Sequence, residues 1–220
     1  MKKLTNTALS LLTFFVLAIL LNGPLKNFNP FPLLRNTKDD YYLVAGSSGL
    51  DPETFNQTSN FAYSEKDELG RSGQARATIT SKDVFDSMNY RGQFKEGDNP
   101  SGYPAKNFKT RIHTTTGTYD GWFYNRSHLI ADSLGGVAES YNAITGTRMQ
   151  NVGNRSNTGG MQYIERKCVD YLKKHRSVKL YYQATPYYRG DELIPRTVEV
   201  KALTSDGAIN ETVITYNSAK

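Results

Sequence analysis

The chain is poor in the residues that build covalent and thiolate sites. Its 220 residues hold a single cysteine, Cys168. One cysteine excludes an intramolecular disulfide and any cysteine-built zinc centre. Within "IERKCVDYL" it stands at helical spacing from Ile164 and Leu172, which marks a small buried core residue and not a nucleophile. Histidine occurs three times and tryptophan once. No G-x-x-x-x-G-K-[ST], G-x-G-x-x-G, H-E-x-x-H or G-x-S-x-G stretch is present. That removes the phosphate loop, the dinucleotide fingerprint, the zincin site and the nucleophile elbow. No internal repeat is found either.

What the chain does have is aromatic mass, with fifteen Tyr and ten Phe, enough for a real core. Its formal charge is +6, and Lys2 and Lys3 are the only charges before Pro24. A mildly basic surface suits a polyanionic partner, though charge alone decides little. The basic start and the apolar run Ala8 to Leu21 have the composition and order of an export signal. The run is shorter than the roughly 17–25 residues of a spanning helix. No small-x-small cleavage pattern follows it, and Pro24 comes directly after Gly23. Residues 1–24 therefore read as a signal peptide or an uncleaved signal anchor. The rest of the chain is expected outside the cytoplasm, secreted or held at the outer face of the membrane. Residues 25–40, rich in Pro and Asn, read as a linker or extended arm. Residues 41–220 read as one domain.

Within that domain, "DYYLVAG" and Ala75–Thr80 read as strands, and "SKDVFDSM" as a brief helix capped by Ser81. Asn89–Lys109 is rich in Gly, Asn, Pro and Lys and reads as a long surface loop. "GTYDGWFYN" is aromatic and nearly alternating, hence extended. The segment Asn142–Asn151 is expected to turn helical. "MQYIERKCVDYLKKH" is the clearest helix, with Ile164, Cys168 and Leu172 on one face. "SVKLYYQATPYY", "RTVEVKAL" and "ETVITYN" read as three late strands. Strands with interposed helices point to an α+β fold, not a doubly wound parallel sheet.

The chemistry concentrates in "DGWFYNRSHLIADSLGG" and the polar segment behind it. Around His128 the acids Asp120, Asp132 and Glu139 are unpaired, unlike the grouped carboxylates of two-metal nucleases. Instead His128 follows Arg126 by two residues. Amides surround them (Asn125, Asn142, Gln150, Asn151, Asn154, Asn157), interleaved with Arg148 and Arg155. Phosphodiester hydrolysis needs a group titrating near neutrality to deprotonate water, which suits histidine. It needs a permanent positive fork for the phosphate, which suits arginine. It also needs charge beside the leaving oxygen, which a hydrated Mg²⁺ supplies with few, oxygen-only protein ligands. One asparagine oxygen would suffice, with a carboxylate such as Glu165 orienting the metal's waters. If the chain near 151 is helical, Arg148, Asn151 and Arg155 share a face. The bland reading, solvated residues in a loop, has even standing on spacing alone. His113 reads as a strand surface residue. His175, with Lys173, Lys174 and Arg176, reads as the basic carboxyl end of the clear helix.

Taken together, "NRSHLIADSLGG", "YNAITGTRMQN" and "GGMQYIERK" resemble the DNA/RNA non-specific endonuclease family. These are ββα-metal, or His-Me finger, nucleases with an Asp-Arg-Gly-His signature. "YSEKDELGRSGQARATI" resembles the strand that opens their domain, so the match runs roughly from Tyr63 to Thr204. The secreted DNases and membrane-anchored competence nucleases of Gram-positive cocci are the nearest in character. The resemblance implies a ββα-metal core on a mainly antiparallel sheet with flanking helices. It implies His128 as general base, Arg126 on the substrate phosphate and Asn151 as ligand of one Mg²⁺ or Mn²⁺. It implies Glu165 as the water-orienting glutamate and Asn142 as a supporting asparagine. Arg148, Asn125 and Asn142 are the expected substrate-side residues. Asn154 and Asn157 are the other candidates for the metal, and the "TGTR" context favours Asn151. Two positions depart from the signature: Asn125 stands for its Asp and Ser127 for its Gly. The expected activity is cleavage of DNA, and of RNA as a second substrate, leaving 5′-phosphates. The competing readings are a non-catalytic surface module for DNA binding or uptake, and an enzyme acting on another polyanion such as teichoic acid.

Overall fold

The structure, a computed structural model, describes residues 41–114 and 116–218. The leader and the Pro-rich arm lie outside the described residues. Among the described residues no helix is long and apolar enough to cross a membrane. The largest sheet has six strands. They are β1 (Tyr42–Gly46), β2 (Asn60–Tyr63), β3 (Ala75–Ile79), β8 (Leu180–Tyr187), β9 (Thr197–Thr204) and β10 (Asn210–Tyr216). Their spatial order is β1-β10-β9-β8-β3-β2, and every pairing is antiparallel. Two hairpins complete the β-structure: β4 (Lys109–Thr114) with β5 (Gly117–Trp122), and β6 (Tyr124–His128) with β7 (Ala143–Thr147). The helices are α1 (Ser81–Asn89), α2 (Arg148–Val152) and α3 (Met161–Lys174). This is the α+β, mainly antiparallel architecture read from the sequence.

One core lies between the large sheet and α1, α3 and the β6–β7 hairpin. The helix α3 buries Met161, Ile164, Glu165, Cys168, Val169 and Leu172. That spacing of three and four residues is one continuous helical stripe. Cys168 is fully buried within it. A smaller cluster of Tyr41, Ile112 and Met149 ties the β4–β5 hairpin to α2.

Two local expectations change. Thr80, not Ser81, caps α1: its backbone N–H and hydroxyl both reach the Asp83 carboxylate at 2.7 Å, and Ser81 is the first helical residue. Residues 143–147 are strand, because β7 pairs along the whole of β6, from Tyr124 opposite Thr147 to His128 opposite Ala143. Helix begins only at Arg148, where the Thr147 hydroxyl accepts from the Gln150 amide at 3.1 Å. It ends at Gly153, whose φ of 69° suits glycine.

Candidate active site

Strand β6, the return strand β7 and α2 form a ββα unit, with His128 at the end of β6 and Asn151 on α2. A 3₁₀-containing loop joins the two strands, and Asn142 pins it. Its carboxamide oxygen accepts from the Ile130 amide at 2.9 Å, and its Nδ2 donates to the carbonyls of Ile130 and Val137, both at 2.9 Å. Gly136 is needed there, since a Cβ would fall 1.9 Å from the Ile130 oxygen.

Alternation along β6 puts Arg126 and His128 on one face, Asn125 and Ser127 on the other. On the first face the Phe94 ring lies 5.0 Å from the His128 ring and 5.3 Å from the Arg126 guanidinium. Tyr103 flanks the same guanidinium at 5.3 Å, and Arg126 Nε donates to Asn99 Oδ1 at 2.8 Å. The arginine is thus gripped by its stem side. Its two terminal nitrogens make no hydrogen bond among the described residues, which leaves a fork for a phosphate.

His128 Nε2 is enclosed and has no hydrogen-bond partner among the described residues. Burial lowers the ring's pKa below the ordinary histidine value, and Asp132 opposes that only in part. The imidazole is therefore held neutral, the form a general base requires. An enclosed polar atom without a partner is costly in a finished core, and such atoms are common where a site is completed by water, ion or substrate.

On the other face, Ser127 Oγ donates to Asn151 Oδ1 at 3.2 Å. Glu165, on α3, is buried, and burial pushes its carboxyl up to about 8. No hydrogen bond or ion pair to it occurs among the described residues. A neighbouring cation would relieve that carboxylate. Among the described residues no three His, Cys, Asp or Glu side chains cluster as a metal cage. The donors present are an amide oxygen and one carboxylate, a set that fits a hard, largely hydrated divalent ion.

The DNA/RNA non-specific endonuclease family model matches residues 52–206. The chain belongs to that family, and it is a nuclease. A deoxyribonuclease of Streptococcus dysgalactiae subsp. equisimilis is 36% identical over 228 residues, covering 82% of this chain and 69% of that protein. The Sda1 nuclease, solved with a bound zinc ion, is 38% identical with a TM-score of 0.78, covering 82% of this chain and 92% of its own. NucA from Streptococcus agalactiae, solved with a magnesium ion bound, is 20% identical with a TM-score of 0.59, covering 78% and 76%. That last likeness is one of fold.

In this nuclease Arg148 stacks its guanidinium 4.6 Å from the Tyr119 ring and donates through Nη2 to Asn157 Oδ1 at 2.5 Å, leaving Nη1 enclosed and without a hydrogen-bond partner among the described residues. Asn157, at φ 58°, therefore spends its amide oxygen on Arg148. Asn154 exchanges bonds with the Thr158 hydroxyl at 3.0 and 3.2 Å. Of the three asparagines, Asn151 is the one on α2. Arg155 does not share that helix: α2 has ended, and Arg155 Nη1 instead donates to the Thr118 carbonyl of β5 at 2.6 Å. Asn142 is fully buried with its amide committed to the loop. Asn125 sits opposite Gly146, its Nδ2 enclosed and without a partner among the described residues. His113 is exposed on β4, and His175 caps α3.

Sequence reading missed Phe94, Asn99 and Tyr103. They come from the loop between α1 and β4, whose Asp98 and Ser101 also bind the β6–β7 unit, through the Ser140 amide at 2.8 Å and the Thr145 hydroxyl at 2.7 Å. The only signal was four aromatics, Tyr90, Phe94, Tyr103 and Phe108, in an otherwise polar stretch.

Proposed function

We propose that this nuclease is an exported, divalent-metal-dependent endonuclease that hydrolyses DNA with little sequence preference and leaves 5′-phosphates. The observation that carries the mechanism is the pairing on one face of β6: a neutral His128 with its Nε2 enclosed, beside an Arg126 whose terminal nitrogens have no partner among the described residues. His128 takes the proton from the attacking water. Arg126, with Arg148 behind it, holds the phosphate. Asn151 would hold the Mg²⁺ through its amide oxygen, and Glu165 would orient the ion's waters. When bound, the ion supplies positive charge to the phosphoryl group and the leaving 3′ oxygen. Arginine contacts of this kind read backbone, not bases, which accounts for low specificity. In this reading residues 1–24 export the chain or anchor it, and 25–40 tether the domain outside the cell.

Plasmid and RNA are incubated with the protein, with Mg²⁺ or with EDTA. Cleavage of plasmid in Mg²⁺ and none in EDTA is expected. His128→Ala should lose on the order of 10²–10⁴-fold in rate, with part regained on adding imidazole. Intact plasmid in both lanes, with binding retained, would instead favour a DNA-binding module.

A further inference from the structure

We propose that Ser127 is a positioning residue for Asn151, setting how its amide oxygen is presented to the divalent ion. The proposal rests on the reading that Asn151 ligates the ion. Ser127 is fully buried in β6, and its hydroxyl reaches across 24 positions of sequence to Asn151 Oδ1 at 3.2 Å. An amide oxygen has two acceptor sites. Donation from Ser127 occupies one and leaves the other for the ion. It also restrains the rotation of the Asn151 amide, whose terminal torsion is otherwise broad.

The surroundings make room for this contact. Gly146 stands beside Ser127 across the hairpin. A Cβ at 146 would lie 2.6 Å from Ser127 Cβ and 2.3 Å from Gln150 Oε1. Glycine at 146 thus clears the pocket that the serine side chain fills. The Asp-Arg-Gly-His form has no side chain at the position of Ser127 and cannot make the bond. The bond is part-buried: Ser127 is enclosed, while Asn151 keeps a partly open side from which a hydrated ion can reach its oxygen.

The test measures metal binding without DNA. Wild type, S127A, S127G and N151A are titrated with Mn²⁺ by calorimetry, and their thermal midpoints are followed with and without Mg²⁺. Partners that orient a metal ligand typically contribute tenfold or more in affinity. S127A and S127G should each bind Mn²⁺ about tenfold more weakly and show a smaller Mg²⁺-induced rise in midpoint. Their metal-free midpoints should stay close to wild type. In cleavage assays the Mg²⁺ concentration for half-maximal rate should rise by the same factor, with KM for DNA and the pH profile unchanged. A wild-type Mn²⁺ isotherm in both serine variants, with binding lost in N151A, overturns the positioning role alone. Wild-type binding in N151A overturns the ligand assignment, and the proposal with it. A defect in KM for DNA without a change in Mn²⁺ affinity also overturns it.

Discussion

At the residue scale, burial pushes the two ionisable groups of the site in opposite directions on the pH axis, and both end up neutral. His128 is driven down and Glu165 up to about 8, because a dry pocket disfavours whichever form carries charge. For Glu165 the folded value lies above the ordinary 4.5. Its contribution to stability is thus full below that ordinary value and is lost as pH rises through about 8. The metal-free protein should lose stability over that window, and Glu165→Gln should not. At about pH 9 without metal the variant should melt above wild type, and at about pH 4 the two should coincide. Mg²⁺ should close the gap at high pH. Parallel melting curves across the range would show that the carboxylate is not desolvated. Two residues on the other β6 face, Asn125 and Ser127, are where the chain departs from the family signature. Sequence alone marked the departures but not what they touch.

At the scale of elements, legibility followed periodicity. The helix α3 and the late strands announce themselves through spacings of three to four and of two residues, because each buries one face. The strand β7 did not. "AITGT" is short, and all five of its residues are buried, so it carries no alternation. Its extended state comes from β6, a tertiary partner that overrides local preference. The loop from 90 to 108 was equally opaque, because what it contributes is reach across the hairpin and not an internal pattern. Caps are intermediate, being local but sensitive to a shift of one residue. Asp83 receives the Thr80 amide and hydroxyl and also the Ser59 hydroxyl at 2.7 Å. Asp83→Ala should destabilise the domain by about 1 kcal/mol, read as a lower denaturant midpoint with an unchanged m-value. A loss below a few tenths of that would mean the cap is dispensable. The proposed catalytic set, in contrast, was legible as residue types in sequence but not as a constellation. Arg126 and His128 are joined through Phe94, and Asn151 through Ser127, contacts that no local pattern records.

At the scale of the molecule, the proposed grip on phosphates through arginines makes DNA binding salt-dependent. Two phosphate contacts, from Arg126 and Arg148, correspond to roughly a tenfold loss of DNA affinity between about 50 and 200 mM NaCl. Arg126→Ala should flatten the slope of log affinity against log salt by about one. An unchanged slope would remove Arg126 from the phosphate. The exposed β4–β5 hairpin is held to α2 by the Ile112–Met149 contact and to the segment after α2 by the Arg155 bond.

Asn217 joins three parts of the chain. Its oxygen accepts from the Thr147 amide at 2.7 Å, and its Nδ2 donates to the carbonyls of Thr145 and Pro195, both at 2.8 Å. Thr147 is the cap of α2, four residues before Asn151. Synthesis runs from the amino end, so Asn217, which braces the cap of α2, is made after every residue of the proposed site and locks the ββα unit to the turn at Pro195 from behind.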